Sequence, residues 1–294
     1  VSTAIKAWLD AKRAQGLADL TIVAYEQRIR MLLGSMINRP VRSVANRGPE
    51  LYAAALEGRK ADSHQNLLVA GRIWGKWCVR QKWLRANPFA EVDPVGRRVH
   101  GADKIRLTVD ESRRLEAWCL AHPDDQGAVL TLGYLYLGTR NMELAVRDVR
   151  DLDDGVRLLL IGKAKSRAGQ RKLVVPVALG ALLRAQVDGR PSDAPVFVNA
   201  KGQRMGSNTA RDHVKRVCVA AGVPEVPPQA LRRTQASLAM DAGETSLAVA
   251  RHLGQATGEA PKVTAQSYLE RGSVATAQGE RAMRAIRGRT AIGN

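Results

Sequence analysis

VRLLLIGKAKSRAGQRKLVVPV, residues 156–177, is the one part of this 294-residue chain that reads as β-structure. Two runs rich in leucine and β-branched residues, 156–161 and 172–177, flank a basic turn that contains Gly162 and Gly169. That pattern predicts a β-hairpin with a cationic tip. On either side the apolar residues recur at helical spacing. Upstream, "GAVLTLGYLYLG" predicts a helix buried on all sides, and "LTVDESRRLEAWCLAH" predicts a helix opened by a capping box of Thr108 and Glu111. Downstream, helices are expected at 179–187, 208–221 and 229–241.

Residues 1–90 read as four helices. Ser2 or Thr3 would cap the first, with Ile5, Trp8 and Leu9 on its apolar side; Ile22, Tyr25, Ile29 and Leu32 make the matching side of the second. A short third helix, "GPELYAAALEG", is followed by a fourth whose apolar face carries Leu67, Ala70, Trp74 and Trp77. Arg72, Lys76 and Arg80 fall at i, i+4 and i+8 on the other side of that fourth helix. Such a stripe suits phosphate contact or plain solvation. "ANPF" at 86–89 ends it, because the residue before proline avoids the α region. Residues 91–105 lack apolar periodicity and read as a linker, which leaves 106–294 as a second domain.

Charge narrows the partners. The chain holds 46 Lys+Arg against 28 Asp+Glu, a net +18, and the first hundred residues carry half of the excess. A basic balance spread over folded sequence favours nucleic acid over other ligands. No apolar run approaches the ~20 residues of a membrane span, and the N-terminus lacks a secretory layout. Cys78, Cys119 and Cys218 form no CxxC, so neither disulfides nor a zinc site is expected, and a cytoplasmic, nucleoid-associated location follows as the default. "GKAKS" lacks the spacing of a phosphate-binding Walker loop.

"YLGTRNMELAVRDVRDLD" at 136–153, the Gly-Lys hairpin, "LRRT" at 231–234, "HLG" at 252–254 and a lone tyrosine at 268 occur in the order found in tyrosine recombinases. The chain resembles that family, the phage integrases, over nearly its whole length, including the "TIVAY" and "ANPF" landmarks of the N-terminal half. The resemblance implies a mainly α fold with a small antiparallel β-sheet. It also implies a four-helix SAM-like core-binding domain ahead of an α+β catalytic domain. It matches Arg140 and Arg232 to the two catalytic arginines, Glu143 to the acidic buttress, Lys163 to the general acid and Tyr268 to the nucleophile. Gln229 and Gln255 stand where the family has histidines, with His252 a turn away as a substitute or as a structural histidine. Lys165, Arg167, Arg171 and Arg233 become DNA contacts alongside the stripe on the fourth helix.

The chemistry is intelligible by itself. Guanidiniums donate paired hydrogen bonds to the oxygens of a phosphodiester under attack, and a lysine delivers the proton that the leaving oxygen needs. A phosphotyrosine stores the bond energy, so no cofactor or metal is expected. The resemblance further implies double-stranded DNA as substrate, a monomer that assembles into a homo-tetramer on DNA, and an accessory DNA-bending protein. The tail around Val274, Ala277, Ala282 and Ile286 would dock on a neighbouring protomer or on its own domain. Glutamine donates hydrogen bonds but takes up no proton near neutral pH. The two glutamines therefore leave two readings open: an active recombinase, or a DNA-binding relative that has lost catalysis and acts as an accessory or regulatory protein. A type IB topoisomerase-like enzyme shares the chemistry but lacks a reason for the N-terminal helical half.

Overall fold

A computed structural model of the chain describes residues 1–57, 61–95, 105–162, 169–255, 283 and 286, with only the backbone described at 61–64. It divides into two units, Val1–Val99 and His100–Asn294. Residues 96–104 of the expected linker lie outside the described part.

The first unit is built from α1 (Ser2–Ala14), α2 (Asp19–Leu33), α3 (Gly48–Leu56) and α4 (Ala61–Arg80). Ala4, Ile5, Trp8 and Leu9 bury one face of α1, and Ile22, Ile29, Leu32 and Leu33 bury the inner face of α2. Val1, rather than Ser2 or Thr3, occupies the cap position of α1, and no side chain bonds the first turn there. The 87–92 segment folds back along α4. Asn87 holds it at both ends of its amide: Nδ2 donates to the Arg72 carbonyl at 3.0 Å, and Oδ1 accepts from the Phe89 N–H at 3.1 Å. Arg72 completes the clasp, donating to the carbonyls of Phe89 (3.1 Å) and Val92 (2.6 Å). Of the expected cationic stripe on α4, only Lys76 and Arg80 therefore face solvent; Arg72 is spent inside the unit.

The second unit assembles around α6 (Gln126–Leu137), every residue of which from Gly127 onward is buried. A helix apolar on all sides must be surrounded, and α5 (Val109–Ala121), α8 (Val177–Val187), α9 (Ser207–Ala220) and α10 (Pro228–Asp241) surround it. The capping box opens α5: the Thr108 side chain accepts from the Glu111 N–H, and Glu111 accepts from the Thr108 N–H at 2.7 Å. The hairpin is present but shorter than its sequence suggests. Strands β1 (Leu158–Ile161) and β2 (Arg171–Val174) pair antiparallel with Ile161 opposite Arg171. Leu159 and Ile161 point inward while Leu158 and Leu160 face out. Val156 lies outside the strand in a turn, at φ +49°, with its N–H bonded to the Asp153 carbonyl. From the tail, Ile286 is fully buried in this unit's core and Met283 packs beside it. Arg113 donates to the Ile286 carbonyl. These two described residues of the tail pack on their own domain, which answers the choice the sequence left open for that part.

Two further helices lie among the described residues of this unit: α7 (Asn141–Leu144) and α11 (Ser246–His252). Among the described residues no helix is long and apolar enough to cross a membrane.

Gly48, at the start of α3, marks how closely the 87–92 segment is packed. A Cβ there would fall 1.7 Å from the Pro88 carbonyl oxygen, a backbone atom that cannot swing aside. Gly48→Ala is expected to destabilise the first unit by about 1–3 kcal/mol. Urea unfolding followed by tryptophan fluorescence checks this, since four of the five tryptophans (8, 74, 77 and 83) lie in that unit. An unchanged midpoint would show that the segment has room to move.

Candidate active site

The short α7 places its acid where three arginines meet. Arg140 is the N-cap residue of α7 and Glu143 lies three residues on, so the Glu143 carboxylate turns back to accept from the Arg140 N–H at 2.9 Å. The same carboxylate pairs with the Arg140 guanidinium. Arg171, the first residue of β2, reaches it with Nη2 at 3.0 Å. Arg232, in the second turn of α10, approaches it with Nη1 at 3.6 Å. Three cations thus share one anion, and the cluster keeps a surplus of positive charge.

Two of the three arginines are also fixed by backbone. Arg232 donates from Nη1 to the Gly138 carbonyl at 2.7 Å and from Nη2 to the Leu253 carbonyl at 2.6 Å. Arg171 donates from Nε to the His252 carbonyl (2.6 Å) and from Nη1 to the Gly169 carbonyl (2.8 Å). The acceptors are themselves held by packing. Gly138 ends α6 in the left-handed conformation, φ +58°, and a Cβ on it would lie 2.7 Å from Gln235 Oε1. Ala236, Ala239, Val249 and Leu253 form a small apolar cluster that seats α11 on α10 and so fixes the Leu253 carbonyl. Only the Arg140 side chain reaches the surface, 39% exposed against 9% for Arg171 and 4% for Arg232.

Electrostatics follow from this crowding. Burial pushes the Arg232 guanidinium down to about 9; Arg140 and Arg171 add to the shift and Glu143 opposes it. It remains charged at neutral pH. Burial alone would raise the Glu143 carboxyl, but hydrogen bonds from Arg171 and from the Arg140 N–H and guanidinium hold it below the usual carboxylate range. An anion on the Arg140 side relieves repulsion that Glu143 alone does not cancel.

Of the two readings the sequence leaves for His252, substitute or structural histidine, its surroundings fit the second. Burial, and next the nearby Arg171, lowers its pKa to about 4, so the ring is neutral. Its Nε2 lies 2.9 Å from the Leu137 carbonyl, which makes Nε2 the protonated nitrogen. This side chain ties α11 to the end of α6 and is structural.

Gln229 is exposed near the start of α10, one turn before Arg232, and Gln255 follows α11 half-exposed. Arg233 donates from Nε and Nη2 to the Ile105 carbonyl at 3.2 and 3.1 Å, which ties α10 to the start of the second unit. Arg171 departs from its expected place as a DNA contact at the hairpin tip. Opposite Ile161, in the ladder pair next to the turn, it faces inward on the same side as Leu173 and Val175. That alternation was the signal available for it. Lys163, Lys165, Arg167 and Tyr268 lie outside the described residues. Among the described residues no group of His, Cys, Asp and Glu is arranged to hold a metal ion.

No family model matches the chain. Tyrosine recombinase XerC of Mycobacterium bovis is 30% identical over 227 residues, covering 70% of this chain and 73% of that protein. The chain belongs to the tyrosine recombinase family. XerC of Bifidobacterium longum is 32% identical over 180 residues, 53% of this chain. The chain spans about half the length of that relative, 49%. In fold it is similar to a lambda integrase dimer bound to a COC′ core site, with TM-score 0.69 at 16% identity, covering 87% of this chain and 94% of that one.

If Glu143 is the common counter-ion, Glu143→Gln keeps the shape and leaves buried guanidiniums unpaired. At pH 7 the second unit should lose about 3–5 kcal/mol of stability. Because the folded carboxyl titrates below its ordinary 4.5, its contribution is present above that pH and is lost as pH falls through the folded value. The gap between the two proteins, measured by urea unfolding, should therefore shrink below pH 4.5; a constant gap would assign the loss to shape instead.

Proposed function

We propose that the chain is a site-specific DNA recombinase or integrase that cuts and rejoins strands through a 3′-phosphotyrosine. The observation that supports this reading most is the convergence of Arg140 and Arg232 on one carboxylate, from elements some 90 residues apart. In this reading Arg140 supplies the accessible face of an anion site and Arg232 its buried side, and both stabilise the charge that builds on the nonbridging oxygens of the scissile phosphate. The Tyr268 phenol gives up its proton to water as its oxygen attacks phosphorus, the bond to the 5′ oxygen breaks, and Lys163 gives that oxygen its proton. A 5′ hydroxyl from the same or a second strand reverses the step, with no net consumption of bond energy. Gln229 and Gln255 donate hydrogen bonds to the phosphate without carrying protons. The roles of Lys163 and Tyr268 rest on the family resemblance.

The partner is duplex DNA, for which a net +18 is suited. A monomer in solution, a homo-tetramer on paired sites and an accessory DNA-bending protein complete the reading, with the cytoplasm beside the nucleoid as its location.

A second reading is favoured by one observation: His252 is neutral and locked to Leu137, so no proton-carrying histidine takes over from Gln229 or Gln255 among the described residues. A protein so placed would bind DNA and act as an accessory or regulatory factor. Duplexes selected from a random pool for retention by the protein, then nicked so that cleavage is trapped, separate the two. The recombinase reading expects a covalent band on a denaturing gel that Tyr268→Phe abolishes and Gln229→His strengthens. Retention of the duplexes with no band from either protein would support the binding-only reading.

A further inference from the structure

A second cationic site lies in the first unit, away from the arginine cluster and built from different elements. The turn after α4 and residues 42–46 line a cavity of about 420 Å³ with Arg42, Asn46, Lys82, Trp83 and Arg85, and no carboxylate is on its wall. That volume lies within the usual range for small-molecule sites, ~300–1,000 Å³. Among the described residues Arg42, Lys82 and Arg85 make no ion pair and no side-chain hydrogen bond, although carboxylates elsewhere in this unit pair with Arg13, Arg30 and Arg47.

The backbone goes to some trouble to build this wall. Lys82 (φ +59°) and Asn46 (φ +62°), both lining the cavity, adopt the left-handed conformation. For a lysine that conformation costs about 1–2 kcal/mol. It closes α4, with the Trp83 N–H returning to the Cys78 carbonyl at 2.9 Å, and turns Trp83 out beside the cations. Trp83 is 41% exposed, which is unusual for so large an apolar ring. Its contact with Trp77 is edge-on, with centroids 5.2 Å apart and planes at 89°.

An open indole surrounded by three unpaired cations matches a ligand that has both a flat aromatic face and phosphate. We propose that this cavity binds one unpaired nucleotide of a DNA strand, with its base stacked on Trp83 and its flanking phosphates held by Arg42, Lys82 and Arg85. Duplex DNA does not meet these requirements, because each base face is already covered by its neighbours; an unstacked or single-stranded base offers its face freely. The site shares with the proposed function its partner, nucleic acid, but it does not depend on strand cleavage.

The test uses the full chain carrying Tyr268→Phe, so that cleavage plays no part, and compares a labelled oligothymidylate with an equal-length duplex by fluorescence anisotropy. Trp83→Ala should weaken binding of the single strand about tenfold, the scale of one base–aromatic stack, and change duplex binding less than twofold. Trp83→Phe, which keeps a ring against Trp77, should retain most of the single-strand affinity and so controls for folding. The triple change Arg42→Gln, Lys82→Gln and Arg85→Gln should flatten the salt dependence of single-strand binding. Equal losses on both DNAs would overturn the proposal in favour of a general duplex contact, and so would an unchanged single-strand affinity. Competition by millimolar inorganic phosphate as effective as by thymidine monophosphate would reduce the site to a phosphate pocket and overturn it as well.

Discussion

One carboxylate shared by three guanidiniums sets the geometry of the second unit. Glu143 draws Arg140 from the end of the central helix, Arg171 from the hairpin and Arg232 from α10 to a single point. Without that anion, Arg171 and Arg232 would be two buried like charges, a state that protein interiors do not tolerate unpaired. With it they are held, but not neutralised. The remaining positive charge is a cost in the free protein and becomes a gain once an oxyanion arrives. A site that is strained by its own charge before it binds, and relieved after, favours an anion over a neutral ligand of the same shape.

Backbone carbonyls do the rest of the positioning. Arg232 and Arg171 take their acceptors from Gly138, Leu253, His252 and Gly169, so the ends of α6 and α11 aim the guanidiniums as firmly as Glu143 does. His252 belongs to this framework. Its neutral ring bonds the end of α6 while its own carbonyl receives Arg171, which links three elements through one residue. The cluster is therefore a rigid acceptor for charge, with Arg140 as its exposed edge.

Much of this was legible in the sequence. The largely apolar 127–137 run, the two apolar runs of the hairpin and the Thr108–Glu111 box each carry a local physical signal, and they appear in the fold as a buried helix, a hairpin and a capped helix. The order of Arg140, Glu143 and Arg232 marked the cluster through its family pattern. Side-chain direction was harder to read where a cation is concerned. Arg72 and Arg171 looked like outward charges because arginine is usually solvated, yet both turn inward onto carbonyl groups that only the tertiary fold supplies. Arg233 is used in the same way by Ile105. His252 has two readings in the sequence, and burial together with the bond to Leu137 decides for the structural one.

The central claim is that the Arg140–Arg232–Glu143 cluster accepts a tetrahedral oxyanion. Crystals of the full chain soaked in tungstate, a heavy phosphate analogue located by its anomalous scattering, test it directly. The account predicts a peak within hydrogen-bonding distance of the Arg140 guanidinium, next to Arg232, with the Glu143 contacts intact. Anion peaks elsewhere on this basic surface but none at an intact cluster would contradict it.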